Sequence, residues 1–114
     1  MRRQGDLKVG SVWKGTYDLV GSHFMATMRV TSRKGDDIQG TIKTTHVGGG
    51  SGSIDFAGQV IGTTLKLRPT RGTSLTDKLE WVYYPAAKTI TGSQTTEGGL
   101  PQGTFNFQLS TEQE

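Results

Sequence analysis

Two histidines and three aspartates are the residues of this chain best suited to metal chemistry. His23 and His46 are its only histidines, and Asp18, Asp55 and Asp77 are the carboxylates that could join them. A protein zinc site needs three or four ligands, so two histidines without a nearby third ligand are a weak signal. We therefore predict no metal site and interpret both histidines as surface residues.

The residues that could carry catalysis are isolated from one another. No serine or threonine stands in a pattern that pairs a nucleophile with a base, and Asp55 and Glu80 fall at outward positions of predicted strands. The glycine-rich segment 48–53 lacks the lysine of a phosphate-binding loop. The chain has no cysteine, which excludes disulfides and thiolate chemistry. We predict a protein that is not an enzyme and has no cofactor.

An alternation of apolar and polar residues organises the chain. In the stretch 24–31, Phe24, Ala26, Met28 and Val30 share one face, and polar residues occupy the other. This period of two is typical of a half-buried strand. The pattern recurs along the sequence and predicts eight strands, at 9–18, 23–32, 37–46, 54–61, 63–69, 78–84, 88–96 and 103–110.

Glycines inside the predicted strands indicate how these strands assemble. The segments 38–42 (Ile-Gln-Gly-Thr-Ile) and 56–60 (Phe-Ala-Gly-Gln-Val) repeat one pattern with a central glycine. Glycine weakens a strand unless curvature or a close approach requires it. With short connections, the simplest closure is an eight-stranded antiparallel up-and-down β-barrel. A β-sandwich of the same strands is the alternative. We expect one domain over 1–114, with flexible ends at 1–8 and 111–114.

The aromatic residues fall almost entirely on the inward face of the predicted barrel. An interior of eight strands holds side chains or one small ligand, so these rings form either a packed core or an aromatic-lined pocket. Tyrosine and tryptophan need partners for their polar atoms when buried, which predicts that Trp13, Tyr17, Trp81 and Tyr83 reach the rim. The eight inward aromatic residues are Trp13, Tyr17, Phe24, Phe56, Trp81, Tyr83, Phe105 and Phe107.

The predicted connections are unequal at the two ends of the barrel. Those at 19–22, 47–53, 69–77 and 97–101 meet at one end, and the short turns at 33–36, 62 and 85–87 meet at the other. Long loops on a rigid scaffold are common binding elements. We therefore predict a ligand or partner site at the loop-bearing end, formed by His23, His46, Arg71, Asp77 and Glu97, with Trp81 and Tyr83 beneath them.

Two short motifs carry a resemblance to a known group of domains. The segment 9–17 (Val-Gly-Ser-Val-Trp-Lys-Gly-Thr-Tyr) and the later Ile-Gln-Gly-Thr at 38–41 resemble those of small β-barrel accessory domains of planctomycete bacteria. Such domains are sometimes appended to protein kinases and other larger chains, and their layout is similar to avidin-like and lipocalin-like barrels. The resemblance implies a barrel fold and an accessory role. It brings no catalytic residue, and the biotin contacts of avidin have no counterparts here.

Charge and hydropathy narrow the range of partners. The net charge is +3, and acidic residues interleave with basic ones instead of leaving a basic stripe. No apolar run approaches a membrane span, and no apolar stretch follows the basic start at 1–4 as a signal peptide requires. We predict no nucleic-acid or membrane partner, and a cytoplasmic location by default. Outward apolar residues would favour self-association if they met on the surface: Met25, Ala57, Ile61, Val82 and Tyr84.

These observations together predict a binding or protein-interaction module that uses the loops at one end of a barrel. Its partner is expected to be a protein or a small hydrophobic ligand. Two alternatives stay open. One is a carrier of a lipid, sugar or cofactor in an aromatic-lined pocket, and the other is an inhibitor-like barrel that plugs a cleft of its partner.

Overall fold

The computed structural model describes residues 7–19, 21–73 and 75–111, which form a closed antiparallel barrel of eight strands. Each strand pairs with its neighbours in sequence, and β8 closes the barrel by pairing with β1. The up-and-down barrel predicted from the sequence is confirmed, in place of the sandwich. The strands are β1 Val12–Leu19, β2 Ser22–Lys34, β3 Asp37–His46, β4 Ser51–Ile61, β5 Thr64–Arg71, β6 Lys78–Tyr84, β7 Thr89–Thr95 and β8 Pro101–Thr111.

The interior of the barrel is the hydrophobic core. Alternation along each strand sends every second side chain inward, and full burial of such a side chain stabilises the fold by about 1.5–3 kcal/mol. Seven of the eight aromatic residues predicted to face inward are buried, and Phe24 is half-buried. Tyr84, the ninth aromatic residue, is exposed on the outer wall.

Two glycines show why the strands can curve into so narrow a barrel. A Cβ atom at Gly15 would overlap the carbonyl oxygen of Asn106 on β8. A Cβ atom at Gly92 would overlap the indole Cδ1 of Trp81 on β6. Both positions therefore require glycine, because neighbouring backbone or a buried ring occupies the space of a side chain.

The barrel has two unlike ends. The turn end carries the short connections 35–36, 62–63 and 85–88, and the loop end carries the connections at 20–21, 47–50, 72–77 and 96–100. Residues 51–53 belong to β4, so the glycine-rich loop is shorter than predicted. None of the described residues lies in a helix long and apolar enough to cross a membrane.

Residues 7–11, which precede β1, pack at the turn end. Leu7 is buried against the core, and Arg33 Nη1 donates a 3.2 Å hydrogen bond to its carbonyl oxygen. Ser11 Oγ donates to the carbonyl oxygen of Lys8 at 2.7 Å and accepts a hydrogen bond from Trp13 Nε1 at 3.2 Å. A flexible end was predicted for 1–8. Residues 1–6, like 112–114 at the other end, lie outside the described residues, whereas Leu7 packs into the barrel.

Candidate functional site

A chain of three buried polar side chains crosses the interior at the loop end. The Tyr17 hydroxyl donates a 2.6 Å hydrogen bond to Gln94 Oε1, and Gln94 Nε2 donates a 2.6 Å hydrogen bond to Asp77 Oδ2. Tyr17 and Asp77 are each 4% exposed and Gln94 is 1% exposed. A longer contact of 3.4 Å joins Gln94 Nε2 to Thr73 Oγ1. We call these residues the Tyr17–Gln94–Asp77 chain.

Two strands and a loop bring this chain together. Tyr17 lies near the loop end of β1, Gln94 lies near the loop end of β7, and Asp77 directly precedes β6. Strand β8 lies between β1 and β7, where Gly103 pairs with Leu19 on one side and with Gln94 on the other. A Cβ atom at Gly103 would lie 3.3 Å from Tyr17 Cε1. The missing side chain of Gly103 thus leaves the room in which the tyrosine reaches Gln94.

The electrostatics of the chain favour a neutral tyrosine next to a carboxylate. Burial, and secondarily the negative charge of Asp77, raises the pKa of Tyr17 to about 12. The Tyr17 hydroxyl therefore keeps its proton at neutral pH and acts as the donor to Gln94. Within the part of the chain that the structure describes, Gln94 is the only hydrogen-bond donor to the Asp77 carboxylate, and no cation pairs with it.

Aromatic rings line the interior beside this polar chain. The Tyr17 ring stacks on Phe105 at a centroid distance of 4.3 Å and lies 5.5 Å from the ring of Phe24. The Phe24 ring in turn meets His46 at 5.0 Å. Deeper in the barrel, Phe105 contacts Trp81 at 5.1 Å. A closed barrel with such an aromatic interior is compatible with ligand binding.

Four of the predicted site residues lie on the rim of the loop end. His23 is exposed, and its Nδ1 lies 2.6 Å from Asp18 Oδ1. His46 Nδ1 accepts a 3.0 Å hydrogen bond from the backbone N–H of Gly48. Arg71 and Glu97 are exposed at the end of β5 and in the loop 96–100. Among the described residues, no three histidine or acidic side chains gather in a way that could hold a metal ion.

Asp77, Trp81 and Tyr83 occupy three different depths. Asp77 was predicted at the rim, and it lies just inside the barrel. Trp81 and Tyr83 were predicted to lie beneath the loops, near the rim. The structure corrects this placement. Trp81 lies fully buried in the middle of β6, while Tyr83 packs near the turn end, 5.7 Å from the ring of Trp13. The reason is the direction of β6, which runs from the loop end to the turn end.

Gln94 is the site residue that sequence reasoning missed. The sequence did carry a signal for this residue. Ile90 and Gly92 were both predicted to face inward, and Gln94 is the next inward position of the same alternation. A glutamine at that position suits either a solvated strand end or a buried hydrogen bond. Only the closeness of Tyr17 and Asp77 in the tertiary structure shows that Gln94 makes a buried hydrogen bond.

Comparison with known proteins identifies a fold and no family. No family model matches the chain, and no curated protein matches it. A solved structure described as a de novo design of a fluorescence-activating beta barrel is similar to it, with a TM-score of 0.62 and 11% sequence identity. The match covers 96% of this chain and 100% of the designed one. The protein therefore belongs, by fold, to the closed antiparallel β-barrels.

Proposed function

We propose that this protein is a non-enzymatic binding module that takes a protein partner with the loops at its loop end. The observation that carries the proposal is an exposed apolar side chain in each of three loops at the loop end, 47–50, 72–77 and 96–100. Val47, Leu75 and Leu100 are 73%, 61% and 67% exposed. Exposed apolar side chains on the loops of a rigid scaffold are typical of a protein-interaction site.

The loops that carry these residues are held by hydrogen bonds. Gln94 joins Thr73 and Asp77, which lie on either side of Leu75. The Leu100 N–H donates to Thr96 Oγ1 at 3.1 Å, and the Thr96 N–H donates to the Leu100 carbonyl oxygen at 2.9 Å. Loops held in one conformation lose less entropy on binding. This favours a rim that recognises a defined surface.

The interior favours a protein partner over a small hydrophobic cargo. The rings of Phe56, Trp81, Phe105 and Tyr17 follow one another at centroid distances of 4.3–5.4 Å. Rings at these distances are in contact, so they occupy much of the space in which a carried lipid would lie. An inhibitor-like barrel would use the same loops, and an accessory role in a larger assembly agrees with the same arrangement.

Site-specific photo-cross-linking tests the proposal. A photoreactive amino acid replaces Leu75 at the loop end or Ile61 at the turn end, and each variant is exposed to an extract of the source cells. We expect one protein to be captured from position 75 and not from position 61. That protein, once purified, is titrated into the isotope-labelled barrel and followed by NMR.

The NMR titration decides the outcome. We expect shifts in the loops 47–50, 72–77 and 96–100, and weaker binding when Val47, Leu75 and Leu100 are all replaced by serine. The matched control is Met25→Ser, because Met25 is also an exposed apolar residue but lies on the outer wall. Shifts confined to the turn end or the outer wall would overturn the proposal.

A further inference from the structure

We propose that the loop end also contains a binding site for a small organic ammonium ion, with the Asp77 carboxylate as its anionic partner. This goes beyond the protein partner proposed above, since the ligand binds beside Asp77 at the mouth of the barrel, neither on the rim nor in the ring-filled interior. The inference rests on the burial of Asp77, on the partners it has, and on the rings beside it.

Asp77 is a buried carboxylate that the described residues do not neutralise. Among the described residues, the side chain that donates a hydrogen bond to it is the amide of Gln94, which carries no charge. The exposed ion pair His23–Asp18 does not involve Asp77. Lys78 and Arg71, close in sequence, are exposed. A buried charge is unfavourable unless an opposite charge or several hydrogen bonds compensate it.

The polar atoms around Asp77 already make hydrogen bonds within the protein, and this favours a cationic ligand. Gln94 uses its Oε1 for Tyr17 and its Nε2 for Asp77 and Thr73. What the site still offers a ligand is the negative charge of the carboxylate. An ammonium group supplies both a positive charge and hydrogen-bond donors, and charge-assisted hydrogen bonds are the stronger kind.

The rings beside the chain favour an organic cation over a metal ion. Tyr17 stacks on Phe105, and Phe24 is only half-buried and so is reachable from the mouth. Aromatic faces attract cations within about 6 Å of the ring centroid. A metal ion needs several oxygen or nitrogen ligands, which the described residues do not gather. An arylalkyl ammonium ion matches a site made of one carboxylate and several rings.

The test compares three probes of nearly equal size and different charge. Benzylammonium chloride, benzyl alcohol and sodium benzoate are each titrated into the isotope-labelled protein at neutral pH. The resonances followed are the Gln94 side-chain amide and the backbone of Thr73 and Asp77. We expect saturable shifts with benzylammonium, at least about tenfold weaker binding of benzyl alcohol, and no saturation with benzoate.

Two asparagine variants show whether binding depends on the Asp77 carboxylate or on the overall charge of the protein. Asp77→Asn removes the buried charge and is expected to weaken benzylammonium binding by about tenfold or more. Asp37→Asn removes an exposed carboxylate at the turn end and is expected to leave binding unchanged. If Asp77→Asn does not fold, the comparison of the three probes on the unmodified protein still tests the inference.

Three outcomes would overturn the inference: no saturable binding of benzylammonium, equal binding of benzyl alcohol, or shifts that map outside the loop end. None of these outcomes tests whether the rim residues Val47, Leu75 and Leu100 bind a protein. Failure of the ammonium site is therefore distinguishable from failure of the proposed protein-binding function.

Discussion

The hydroxyl of Tyr17 donates a 2.6 Å hydrogen bond to Gln94 Oε1, and the two residues are 77 positions apart in the sequence. The bond spans the interior from β1 to β7 over the glycine of β8 at position 103. It ties the start of the chain to the loop that precedes β6, because Gln94 also holds Asp77. Four predictions follow from the geometry around these residues and the core below them.

Removing the Tyr17 hydroxyl should destabilise the barrel. Tyr17→Phe leaves the buried Gln94 Oε1 without its donor, and an unsatisfied buried acceptor costs about 1–3 kcal/mol. We expect a decrease of that size in the free energy of unfolding, measured by urea denaturation. Tyr84→Phe is the control, because Tyr84 is exposed and its change should stay within about 0.5 kcal/mol. Equal effects of both substitutions would contradict the prediction.

Stability should fall at alkaline pH through Tyr17. Its pKa is about 12 in the folded protein against 10.0 for an unperturbed tyrosine. The folded state thus holds the proton more tightly than the unfolded state, and this stabilisation is complete below pH 10 and lost as the pH rises towards 12. We expect the difference in unfolding free energy between the unmodified protein and Tyr17→Phe to shrink over that range. A difference independent of pH would show that the hydroxyl does not titrate as inferred.

Gln94 should control the mobility of the loop 72–77. Gln94→Leu keeps a side chain of similar size but removes the hydrogen bonds to Tyr17, Thr73 and Asp77. We expect faster amide hydrogen exchange in the described part of that loop, while the loop 96–100 keeps its exchange rates. The control is Gln108→Leu on the outer face of β8, where the side chain is exposed. Unchanged exchange in the loop 72–77 would mean that other contacts hold it.

An added methyl group at Gly92 should disturb the core. The Cβ atom of Gly92→Ala would overlap Trp81 Cδ1 and approach the Glu80 carbonyl oxygen at 2.5 Å. Overpacking of this kind typically costs about 1–3 kcal/mol. We expect a loss of that order in the free energy of unfolding, together with a change in tryptophan fluorescence. Gly98→Ala is the control, because the nearest atom to its Cβ lies 4.0 Å away, and it should have little effect.

Much of the fold could be predicted from local pattern. The limits of β3 and β6 match the prediction, because alternation there is unbroken and turn residues flank both strands. The rim positions of the two histidines, of Arg71 and of Glu97 also followed from strand order. The depth of Trp81 and Tyr83 was predicted wrongly, because that prediction rested on the need of their polar atoms for partners and not on their positions along β6.

The amino-acid sequence by itself determined the number of strands and their inward faces, and it favoured a closed barrel over a sandwich, since alternation and strand glycines are local properties of the chain. Only the tertiary structure decided that Tyr17, Gln94 and Asp77 meet in the interior. Their meeting depends on the stagger between strands when β8 closes on β1, which is a property of the whole barrel. That stagger places the Asp77 carboxylate just inside the barrel mouth, within a hydrogen bond of Gln94, and so creates the candidate site.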